Sequence, residues 1–175
     1  MGIFKAKEDY LKSLCENNPD IQHNADKEDG TKRNSFWRIN GEEEAIAATL
    51  TNIDYPCVGY LSLEGRLIDV GNGLVQIHHS FRNAWVILHH INSIKGADGK
   101  GTADKIQEAY DITFNIMEAL VKTMKEDYLE NGNCGGFTGF DPNKINYEQV
   151  GPYLENEFGW ILYFEDQKLS TTISN

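Results

Sequence analysis

A chain of 175 residues, 40% hydrophobic and 25% charged, is composed like one globular domain with a real core, not like a disordered segment. Its 27 acidic against 16 basic residues leave a formal net charge of −11. That balance argues against binding nucleic-acid phosphates, which takes clustered Lys and Arg, and favours basic partners.

Phe4, Lys7, Tyr10, Leu11 and Leu14 recur at helical spacing, and Asn17, Asn18 and Pro19 stop the pattern, which predicts a helix over residues 3–17. Residues 20–35 are polar apart from Ile21 and are expected to form a mobile connection. After the apolar patch Phe36, Trp37 and Ile39, Asn40 with Glu43 resembles a capping box and predicts a second helix, ended at Tyr55 and Pro56. Residues 57–70 alternate as a strand, with Val58, Tyr60 and Ser62 on one face and Leu61 and Leu63 on the other. Gly71, Asn72 and Gly73 supply a hairpin turn. The return strand, residues 74–91, is long for one strand and predicts a bulge or second turn at 80–83.

A flexible loop with Gly96, Gly99 and Gly101 leads to a long helix over residues 103–129, capped by Thr102. Ile106, Ala109, Tyr110, Thr113, Met117, Leu120, Val121, Met124 and Tyr128 make its main stripe. Ile112, Phe114 and Ile116 add a second apolar face, read here as an oligomer interface. Asn131 and Gly132 end the helix, and glycines at 132, 135, 136 and 139 predict a second mobile loop over 132–139. The last strands fall near 145–153 and 159–165. In the second, Trp160, Leu162 and Phe164 alternate with Ile161 and Tyr163, so it is expected to be central or covered on both sides. The predicted fold is α+β: one domain over 1–175, a mostly antiparallel sheet packed by one long helix, with N-terminal helices.

Motifs for chemistry are sparse. His78 with His79 and His89 with His90 come nearest to a metal set, but neighbours in a strand face opposite sides and no third ligand stands close, so no metal or cofactor is expected. The turn at 71–73 lacks the Lys and Ser/Thr of a phosphate loop. Cys134 has no His or Asp partner suggested by position, and the three cysteines Cys15, Cys57 and Cys134 are spaced for neither a disulfide framework nor zinc. Reduced thiols fit a cytoplasmic protein. Residues 1–9 hold no apolar signal core, and no stretch reaches the roughly 20 apolar residues of a membrane span. A non-enzyme is expected.

Three segments carry a resemblance of layout: residues 42–58, a helix running into a strand; Ala84, Trp85, Val86, Ile87 and Leu88 before the helix of 106–128; and the closing run 157–164 with Phe158, Gly159 and Trp160. Over residues 36–165 the chain resembles phage tail-terminator and tail-completion (neck) proteins. The resemblance implies a non-catalytic virion subunit, a ring of typically six copies joined by closed heterologous contacts. It implies neighbouring tail or neck proteins as partners, and residence in the host cytoplasm before the virion. An acidic lumen would let DNA pass without specific binding. The alternative reading is an acidic immunity-type protein that masks a basic toxin.

Overall fold

The computed structural model describes residues 3–25, 30–39, 52–69, 77–92, 101–132, 134–137, 140–153 and 156–169. Helix α1 (Ile3–Asn17) is followed by strands β1 (Phe36–Arg38), β2 (Cys57–Asp69) and β3 (Ile77–His90). Helix α2 (Thr102–Asn131) and strands β4 (Asn146–Tyr153) and β5 (Glu157–Leu169) complete the order. The five strands form one sheet in the order β1-β2-β3-β5-β4, parallel only between β1 and β2. The architecture is α+β. The helix expected from Asn40 and the turn at 71–73 lie outside the described residues.

Strand periodicity sorts side chains to two faces. Val58, Tyr60, Trp85, Ile87, Leu162 and Phe164 face the helices and join Leu11, Leu14, Ile116, Leu120 and Met124 in the main core. Cys57, Val86 and Leu88 face the other side, where Trp37, Ile39 and Ile53 cover them. Trp37 lies over Gly59, where a Cβ would stand 2.5 Å from its ring, so only glycine admits the indole there. β5 lies between β3 and β4 and is a central strand, one of the two placements its sequence allowed.

Several expectations need correction. β3 runs unbroken through 80–83; the irregularity sits opposite, between Ser62 and Glu64 of β2, so the bulge relieves the long pair from the partner strand. Gly101, not Thr102, caps α2: the Gly101 N–H donates to the Asp104 carboxylate at 3.3 Å. At the other end Gly132 takes φ 68° and its N–H donates to the Tyr128 carbonyl at 2.8 Å, a left-handed C-cap.

The two segments read as pliable have firm anchors in their described parts. In the first, Ile21 is fully buried, and the Nδ1 of buried His23 accepts the backbone N–H groups of Ser35 and Phe36, each at 3.1 Å. In the second, Cys134 and Phe137 are fully buried in the main core. Gly135, at φ 49°, passes so close to the Tyr10 ring that a Cβ would overlap it. Trp160, expected inside, is half-buried, and its Nε1 donates to the Tyr110 carbonyl at 3.0 Å; the enclosed tryptophans of the sheet are Trp37 and Trp85.

Phe137 is thus core rather than loop. Phe137→Ala is expected to lower unfolding free energy by about 3–5 kcal/mol, the usual cost of deleting a buried aromatic. Chemical denaturation measures it, and a loss below about 1 kcal/mol would show that the segment packs loosely.

Candidate interaction surface

The strongest electrostatic feature is enclosed. Lys7 of α1 places its Nζ 2.7 Å from both carboxylate oxygens of Asp166 on β5. Asn83 of β3 donates to Asp166 Oδ1 at 2.6 Å, and the Tyr60 hydroxyl of β2 donates to Asn83 Oδ1 at 3.0 Å. The ammonium also stands 5.1 Å from the Phe137 ring centroid. Lys7, Tyr60, Asn83 and Asp166 are all at 0% exposure, so no substrate reaches them and the set is structural. Desolvation dominates both ions, pushing the Asp166 carboxyl up and the Lys7 ammonium down, while their mutual contact opposes each shift.

A second polar set joins strand ends on the opposite face. His90 Nδ1 lies 3.0 Å from Glu157 Oε1, and the Tyr55 hydroxyl donates to the same oxygen at 3.4 Å. His89 faces the α2 side, where burial lowers its pKa. The two histidine doublets lie eleven positions apart on one strand, about 36 Å at ~3.3 Å per residue. Antiparallel pairing therefore does not bring them together. Among the described residues no three His, Cys, Asp or Glu side chains gather as a metal site needs. Burial raises the thiols of Cys15 and Cys57 and pushes Cys134 up to about 12, so all three stay protonated at neutral pH and are poor nucleophiles. Among the described residues no helix is long and apolar enough to cross a membrane.

The residues read as an oligomer interface separate. Ile116 is fully buried between α2 and the sheet, because it follows Thr113 and precedes Leu120 on the buried stripe. It is unavailable to a neighbour, which corrects its assignment. Ile112 and Phe114 are half-buried on opposite flanks of α2. Ile112 borders an open acidic depression with Asp104, Glu108 and Asp111. Phe114 borders a groove of about 220 Å³ between α2 and β4, floored by Met117 and Leu162 and rimmed by Glu118, Val121, Lys125 and Tyr147. Rings of Phe114, Tyr147 and Trp160 stack edge-on with centroids 5.3–6.1 Å apart.

Two large apolar side chains stand exposed among the described residues, Leu129 at 81% and Tyr147 at 55%. Both border this flank of α2: Leu129 continues the helix line of Phe114, Glu118, Val121 and Lys125, and Tyr147 rims the groove. β4 is also an edge strand of the sheet. The opposite edge is short, and at β1 the Phe36 N–H is already taken by His23. Among the described residues, the most available surface is therefore the outer α2 flank and the neighbouring β4 edge.

No protein-family model matches this chain, and no curated protein matches it.

Burial separates the two kinds of α2 position. Ile116→Asp is expected to unfold the subunit or cost it several kcal/mol, because it buries an unpaired charge. Leu129→Asp should change monomer stability by less than about 0.5 kcal/mol. Thermal melts of both variants check this, and equal melting temperatures would contradict it.

Proposed function

We propose that this protein is a structural, non-catalytic subunit that assembles with copies of itself and with neighbouring proteins, as a ring-forming tail-terminator or neck component of a phage does. The observation that carries the reading is the layout of the sheet. A long helix spans one face between β3 and the closing pair β4–β5, and β4 is left as an edge. β4 pairs with β5 only from Glu157 to Tyr163, while the β2–β3–β5 pairing continues to Ile68, His78 and Leu169. That three-stranded ribbon outruns β4 and offers a second patch, distinct from the α2 flank. A heterologous ring needs two different patches on each copy. The net charge of −11 would keep a lumen from holding DNA.

The open acidic depression at the start of α2 favours a second reading, in which the protein masks one basic partner. Co-expression with the tail and neck proteins of the same genome separates the two. The ring reading expects a closed oligomer by light scattering, seated at a tail or neck junction in electron micrographs. A subunit that ignores those proteins and forms a tight one-to-one complex with a basic protein would overturn it.

A further inference from the structure

The outer flank of α2 is self-complementary. Phe114, Glu118, Val121, Lys125 and Leu129 follow one another at steps of three or four along the helix and so share one line. Glu118 and Lys125 are exposed, and neither has an ion-pair partner among the described residues. The midpoint between Glu118 and Lys125 falls between Val121 and Lys122. The midpoint between Phe114 and Leu129 falls at the same point. One two-fold axis there therefore serves four contacts at once.

We propose that two copies of this chain pack their α2 helices antiparallel about that axis. Glu118 of each copy then faces Lys125 of the other, because both lie about 5 Å from the axis at ~1.5 Å rise per residue. Leu129 of each copy lands beside Phe114 and Tyr147 of the other, about 11 Å from the axis by the same rise. This covers the two most exposed large apolar side chains of the described chain. Val121 of each copy meets the aliphatic stem of Lys122 near the centre. Antiparallel α2 helices also set their end charges head to tail, which is favourable.

The occupant is fixed by symmetry of charge and apolarity together. A parallel partner helix of the same sequence would oppose Glu118 to Glu118 and Lys125 to Lys125. An isologous contact of this kind is the commonest association of identical subunits. It goes beyond the ring reading and competes with a heterologous ring contact for the α2 flank, so the charge-reversal pattern of the dimer is read separately from ring closure.

Charge reversal tests the geometry without touching the core. E118K alone creates two like-charge contacts in the dimer, and so does K125E alone. Each should weaken homodimerisation roughly tenfold or more, as opposed like charges do. An equimolar mixture of the two variants should form a heterodimer of near wild-type affinity, since both contacts across the axis then set a lysine against a glutamate. Sedimentation velocity across a concentration series reads all three, and unchanged melting temperatures show that the subunits stay folded. Leu129→Asp should abolish the dimer in the same assay. A wild-type chain that stays monomeric at every concentration overturns the proposal and leaves the flank to another protein. A dimer indifferent to both reversals, or a mixture that does not recover, overturns it as well.

Discussion

The position of α1 rests on one enclosed ion pair. Lys7 and Asp166 are far apart in sequence and meet with no exposed surface between them. Through Asn83 and Tyr60 the pair reaches β3 and β2, so one polar chain links α1 to three strands. Its energetic value is not simple attraction. Both ions are pushed toward their neutral forms by burial, so the cost of removing them from water outweighs their contact. What the pair adds is position: a shifted docking of α1 would leave two unpaired charges inside the core.

With α1 fixed, the rest of the helix layer follows. Phe137 fits under the Lys7 ammonium and against Tyr10, Tyr60 and Phe164, which draws the glycine-rich segment after α2 into the core. The buried side of α2 is then fully used by Ala109, Thr113, Ile116, Met117, Leu120 and Met124. On the far face, Trp37 over Gly59 and the Tyr55–Glu157–His90 contacts fasten the chain before β2. Among the described residues these constraints leave the outer α2 flank and the β4 edge uncovered.

Much of this was legible in the sequence. The helix over 3–17 matches α1, and the alternation in the strands sorted their faces correctly. Lys7 already stood within the apolar stripe of that first helix, and Asp166 continues the inward series of Trp160, Leu162 and Phe164. Those two misplaced charges were the signal for a buried pair, one that local patterning cannot assign because the partners are distant. Ile116 falls outside the stripe read from the sequence because that stripe takes in Tyr110, Val121 and Tyr128, half-buried residues that turn it away from Ile116. Phe137 was hidden by the density of glycine around it. Glycine there marks close approach to α1 rather than slackness. Leu129 gave no warning, since its exposure depends on where the helix sits on the sheet.

The enclosed pair positions α1 rather than stabilising the fold by attraction. A double-mutant cycle on Lys7→Met and Asp166→Leu measures this directly by denaturant unfolding. Each single change should cost about 3–5 kcal/mol, because it strands the other charge in the core. The double variant should be about as stable as the wild-type protein, because no stranded charge remains. A double variant that loses as much stability as either single change would show that the pair stabilises by attraction.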